Sequence, residues 1–91
     1  MSMDRPYIQT ISVDRILHRT FPEDTPNDQL VWHRDRADRW ITIVESNGWQ
    51  LQLENELPII LEAGTIHYIQ KDRFHRVIKG NGPLKVSIKE K

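Results

Sequence analysis

The sequence predicts an all-β fold, and three observations carry that prediction. Apolar residues recur at every second position instead of following the 3.6-residue period of a helix. Alanine, the best helix former, is scarce. Clusters of Asn, Gly and Pro punctuate the chain at short intervals, as they do where many short strands are joined by turns.

Taken in order, the first predicted strands run from about Tyr7 to Val13 and from Arg15 to Arg19. The Phe21 to Asp28 stretch, with Pro22 and Pro26, then breaks the pattern before a third strand at Gln29 to Arg34. Arg39 to Val44 follows, and then Ser46-Asn47-Gly48, whose Asn and Gly tolerate the positive φ of a tight turn. Trp49, Leu51 and Leu53 alternate with Gln50, Gln52 and Glu54 beyond it, so the two flanking strands are expected to pair as a hairpin. Further strands are expected at Leu57 to Glu62, Thr65 to Gln70 and Phe74 to Lys79. Gly80-Asn81-Gly82-Pro83 then precedes the cleanest strand, in which Leu84, Val86 and Ile88 face one way and Lys85, Ser87 and Lys89 the other. Strands this short and this frequent build a sandwich or barrel. Ile41, Ile43, Leu51, Val77, Val86 and Ile88 are expected to point inward.

At 91 residues the chain makes one domain, 1–91, with no repeat and no linker that would divide it. It has no cysteine, which rules out disulfides and thiolate metal sites, so any metal must be held by His, Asp or Glu. No apolar run approaches the length of a membrane span, and the N-terminal MSMDRPYIQT lacks the build of a secretory signal. The expected compartment is the cytoplasm. Net charge is zero, which leaves little general attraction to nucleic acid, although residues 64–91 carry seven basic against two acidic side chains. That bias makes either a basic face for an anionic ligand or an ordinary solvated sheet surface.

The stretch Trp32-His33-Arg34-Asp35-Arg36-Ala37-Asp38-Arg39-Trp40 concentrates the chemistry. In an extended strand His33 and Asp35 share a face, and Arg39, Ile41 and Ile43 continue it if no bulge intervenes. His75 lies in the penultimate predicted strand. Two imidazoles and a carboxylate brought together inside a barrel make the facial triad that binds ferrous iron, and the same donors suit Zn(II) or Mn(II). His18 and His67 read as structural or surface residues, and Trp32, Trp40 and Trp49 as core or dimer contacts. There is no triad setting for a nucleophilic serine and no glycine-rich phosphate loop.

These residues resemble the cupin superfamily of small jelly-roll barrels, with motifs G-x5-H-x-H-x3,4-E-x6-G and G-x5-P-x-G-x2-H-x3-N. The first motif falls without gaps on Asn27, His33, Asp35, Arg39 and Ser46, and the second on Gly64, Gln70, Asp72, His75 and Lys79. Spacing is kept throughout, while His33, Gly64 and His75 keep the family residue. The resemblance implies a single-domain cupin-like jelly-roll β-barrel with motif 1 at about 27–46 and motif 2 at about 64–79. It also implies a divalent ion, Fe(II), Mn(II) or Zn(II), on His33, Asp35 and His75.

Arg39 stands where the family has a glutamate ligand, and a guanidinium beside a divalent cation is unfavourable. Either a bulge turns Asp38 inward as a further ligand, or Arg39 serves the substrate's anionic group, with Tyr68 also lining the cavity. Two functions therefore stand open: a metal-dependent cupin-type oxygenase or isomerase acting on a small polar or anionic substrate, and a non-catalytic module binding a sugar or anion after losing its metal. A third is a structural dimer. The expected partners are a small-molecule ligand and a second copy of the chain, paired through the Tyr7 to Val13 edge strand.

Overall fold

The alternation in the last strand sets the plan of the molecule. Leu84, Val86 and Ile88 are all buried, while Lys85 and Lys89 are exposed and Ser87 is half-buried, and this strand lies at the centre of the larger of two sheets. The computed structural model describes residues 6–91, so residues 1–5 of the expected 1–91 domain lie outside the described residues. The strands are β1 (Ile8–Ile11), β2 (Leu17–Phe21), β3 (Arg39–Glu45), β4 (Gln50–Leu53), β5 (Ile59–Ile60), β6 (Ile66–Ile69), β7 (His75–Ile78) and β8 (Leu84–Glu90). They form a five-stranded sheet in the order β1-β2-β8-β3-β6 and a three-stranded sheet in the order β5-β4-β7, every pair antiparallel. The fold is the expected all-β jelly-roll barrel. No helix among the described residues is long and apolar enough to cross a membrane.

Side chains from both sheets meet between them. Phe21, Ile43, Trp49, Leu51, Leu61, Ile69, Leu84, Val86 and Ile88 form the buried core, and Ile41 and Val77 pack against it half-buried. All six residues expected to point inward do so. Each fully buried side chain of this size contributes roughly 1.5–3 kcal/mol.

The structure corrects the sequence reading in several places. Asn47 and Gly48 have φ of +53° and +83°, and the Trp49 N–H donates to the Ser46 carbonyl at 3.2 Å, so the tight turn forms. It does not close a hairpin ladder, however. β3 joins the five-stranded sheet and β4 the three-stranded one, so this turn is a corner between sheets. The strand expected at Gln29 to Arg34 is instead a short 3-10 turn, Asn27–Gln29, followed by irregular chain that touches the sheet at one bridge, His33 with His75. Leu57 to Glu62 shrinks to Ile59–Ile60, since Pro58 has no N–H to give a ladder.

The bulge sits between Ile43 and Glu45, not near Asp38. Arg39, Ile41 and Ile43 therefore stay on one inward face. β1, the edge strand expected to pair with a second copy, pairs with β2 on one side and forms one edge of the sheet.

Candidate metal centre

His33 and His75 face each other across the bridge, and the backbone decides their orientation. Each donates its N–H to the other's carbonyl, His33 to His75 at 3.0 Å and His75 to His33 at 2.9 Å, which makes them directly opposite neighbours. Their rings tilt at 60° with centroids 4.3 Å apart. Nδ1 of His33 lies 2.9 Å from the Val31 carbonyl, and Nδ1 of His75 lies 2.8 Å from the Arg73 carbonyl. A carbonyl oxygen only accepts, so both Nδ1 atoms must carry the proton, and in the neutral ring Nε2 is left as a bare lone pair. The same arrangement fixes metal-binding histidines elsewhere: one ring nitrogen is anchored and the other is offered.

Asp35 reaches this pair from the irregular chain before β3. Its own carbonyl accepts the Asp72 N–H at 2.7 Å, which ties the segment to the turn between β6 and β7. That turn places Asp72 at a φ of +64°, a left-handed conformation that aspartate tolerates better than most residues. The requirement explains why the family motif has glycine there. Gly64, where the family residue is kept, has a φ of +89°.

One ligand atom from each of His33, Asp35 and His75 lies within 4.8 Å of the others. Asp35 Oδ2 stands 3.2 Å from His75 Nε2 and 3.2 Å from Arg39 Nη1. Yet this buried oxygen accepts no aligned hydrogen bond. The contacts are close in distance but not directed along an N–H. With Nδ1 of His75 protonated, its Nε2 lone pair faces a carboxylate lone pair, an arrangement that calls for a positive charge between them. Two imidazoles and a carboxylate around an unsatisfied buried oxygen fit a divalent ion such as Fe(II), Mn(II) or Zn(II).

The charges around the cluster agree with this donor set. His33 keeps an exposed edge, but desolvation of its ring, with the Arg39 guanidinium nearby, holds its pKa below the ordinary 6.5 and favours the neutral form, the one that can donate a lone pair. Burial of the Asp35 carboxyl opposes its ionisation, but its cationic surroundings, the Arg39 guanidinium among them, outweigh that and hold its pKa below the ordinary 3.8.

Arg39 occupies the missing glutamate's place and enters the site. Its Nε and Nη2 bond Glu90 Oε2 at 2.7 and 2.6 Å, and its Nη1 faces Asp35. Asp38 does not join the cluster. Its Oδ1 accepts the Lys71 N–H at 2.8 Å, so no bulge turns it inward and it acts as a loop tie. Tyr68 is also displaced from its expected place. It lies half-exposed on the outer face of β6, against Trp40 at 5.0 Å between ring centroids, and does not line the cavity. Its neighbour His67 does, as the period of two requires. Trp49 is wholly buried, whereas Trp32 is exposed beneath the Arg76 guanidinium.

The cavity that opens onto this cluster has a volume of about 280 Å³. Its walls are apolar, with Ile41, Leu51, Ile69 and Val77 among them, and its polar groups include His33, Asp35, Arg39, His67 and His75. Sequence reasoning missed two of its charged neighbours. Arg19 follows Leu17 on the inward face of β2. It is buried, with its guanidinium 3.8 Å above the Tyr7 ring and its Nε donating to Gln9 at 2.8 Å. Glu90 continues the inward row Leu84, Val86, Ile88 by one more alternation. In both cases the signal was the same period of two.

No family model matches the chain, and no curated protein matches it as a relative. Solved structures do. A cupin domain from Bordetella pertussis Tohama I superposes with a TM-score of 0.65 at 22% identity, covering 99% of each chain. An RmlC-like cupin with a double-stranded β-helix fold from Methanocaldococcus jannaschii gives 0.70 at 16% identity, over 97% of this chain and 83% of that one. HppE, in its Co(II) form with Tris, gives 0.74 at 13% identity over all of this chain, which spans only 56% of HppE.

Proposed function

The chain has the cupin fold, and from that premise we propose that it holds a divalent transition-metal ion through His33, Asp35 and His75 and acts on a small anionic substrate in the barrel cavity. The observation that carries this reading is Asp35 Oδ2, buried without an aligned donor and facing the bare Nε2 of His75. The Co(II) form of a fold relative, HppE, is consistent with it. When bound, such an ion supplies Lewis acidity and, as Fe(II), a centre for oxygen chemistry.

The chain's own residues supply the rest. His33 and His75, pinned through Nδ1, hold their Nε2 atoms in fixed directions. Arg39, with its Nε and Nη2 on Glu90, leaves Nη1 at the cavity's polar end as a cationic donor for a carboxylate or phosphate. The apolar walls exclude water, and this strengthens each electrostatic contact inside.

A second reading is favoured by the Arg39 to Asp35 contact at 3.2 Å: a metal-free module in which that pair closes the site and the cavity binds an anion or sugar. Elemental analysis of protein purified without a histidine tag separates the two. The metal reading expects about one divalent ion per chain in wild type and a loss of bound metal in His75→Ala. Wild-type protein that stays metal-free after incubation with Fe(II), Mn(II) and Zn(II) would favour the anion module.

A further inference from the structure

Arg39 poses a problem that the metal reading leaves open, because a guanidinium pairing with Asp35 competes for the very charge the ion needs. We propose that Glu90 is the positioning residue that resolves this competition: it holds Arg39 on itself and leaves Asp35 available to the cation. The inference rests on the metal reading of the site.

The register of the sheet makes the arrangement specific. Arg39 and Glu90 are direct cross-strand partners in the β3–β8 ladder, so their side chains leave the sheet on the same face. Glu90 Oε2 receives two N–H groups from Arg39, at 2.7 and 2.6 Å. The Asp35 contact is longer, at 3.2 Å, and lacks hydrogen-bond alignment. Arg39 is thus bonded to Glu90 and only adjacent to Asp35.

Charge leads to the same conclusion. Arg39 and Glu90 together are neutral, so Asp35 keeps its negative charge for an ion held with two neutral imidazoles. Without Glu90, Arg39 and Asp35 would cancel each other, and a divalent ion would enter a half-buried site with no net negative charge to receive it. A glutamate two strand positions past the core thereby compensates for an arginine at a ligand position.

The test is a double-mutant cycle on chelator-stripped, untagged protein, with Co(II) affinity read by titration calorimetry. Glu90→Gln is expected to weaken Co(II) binding about tenfold, within the range of couplings between residues of one network. Arg39→Gln is expected to bind at least as tightly as wild type. In the Arg39→Gln background, Glu90→Gln should change affinity by less than about twofold, because no guanidinium remains to be held. An equal loss in both backgrounds would mean that Glu90 acts only by its charge at a distance, and would overturn the proposal; so would no change in the wild-type background.

If Glu90→Gln does not fold, the wild-type protein still decides the matter by NMR. The Arg39 Nε–H signal, protected by Glu90, should persist when Zn(II) is added, and its loss on Zn(II) binding would overturn the proposal. Failure of the metal reading itself looks different: His75→Ala would then bind Co(II) as tightly as wild type.

Discussion

The two ends of the barrel are built on opposite principles. At one end the Asn47–Trp49 corner locks against the Gly80–Pro83 turn. The Asn81 N–H donates to the Asn47 carbonyl at 2.8 Å, the Asn47 side chain to the Pro83 carbonyl at 2.8 Å, and the Trp49 indole to the Gly82 carbonyl at 2.7 Å. Backbones approach so closely that a Cβ on Gly80 would collide with the Asn47 carbonyl and stand 2.6 Å from the Trp49 nitrogen. At the other end His33, Asp35, Arg39 and His75 surround a cavity and leave one buried oxygen without a hydrogen bond. The difference teaches where stability and function are separated. Satisfied polar groups and tight packing hold the first end, and the one unsatisfied buried side-chain atom among the described residues lies at the second.

If that division is right, the largest effect belongs to the closed end. Trp49→Ala removes a wholly buried ring and strands the Gly82 carbonyl, and should cost about 3–5 kcal/mol in urea unfolding. A cost under 1 kcal/mol would show that the clasp does not hold the barrel. Gly80→Ala should cost about 3 kcal/mol, the upper end of the usual overpacking range, because the overlap is with backbone atoms that no side-chain rotation relieves. An alanine variant as stable as wild type would mean the turn is looser than its contacts imply.

The open end should respond weakly in stability. Asp35→Asn removes the charge on the unsatisfied oxygen while Arg39 keeps Glu90, so the metal-free variant should unfold within about 1 kcal/mol of wild type. A loss comparable to that of Trp49→Ala would erase the contrast between the ends.

The smallest effect is on pH dependence. The folded-state pKa of His33 is lowered, so below the unfolded value near 6.5 the unfolded chain binds the proton more readily. The contribution is present above that pH and is lost as pH falls from about 6.5 toward the folded pKa. Melting temperatures measured between pH 7.5 and 5.5 should fall less for His33→Gln than for wild type; parallel curves would remove His33 as the source.

Much of this was legible in the sequence, for physical reasons that can be named. Alternation placed Ile41, Ile43, Val86 and Ile88 in the core, and the spacing of His33, Asp35 and His75 brought these three together. Turn chemistry announced the reversal at Asn47-Gly48 but not its partners, since φ preference fixes a bend and not the sheet each strand will join. Asp38 was misplaced because its direction depends on a tie to the Lys71 N–H, a contact between segments distant in the chain. Glu90 was legible in principle, one alternation beyond Ile88. Its pairing with Arg39 was not, because that depends on the β3–β8 register and its bulge.

The claim that the open end is a cation site stands most directly on which atoms surround a bound ion. X-ray absorption at the metal edge of untagged protein loaded with one equivalent of Co(II) reads those atoms without reference to any reaction. Scattering from two imidazoles and at least one carboxylate oxygen is expected, with one imidazole lost in His75→Ala. A spectrum with no imidazole, or one unchanged by His75→Ala, would contradict it.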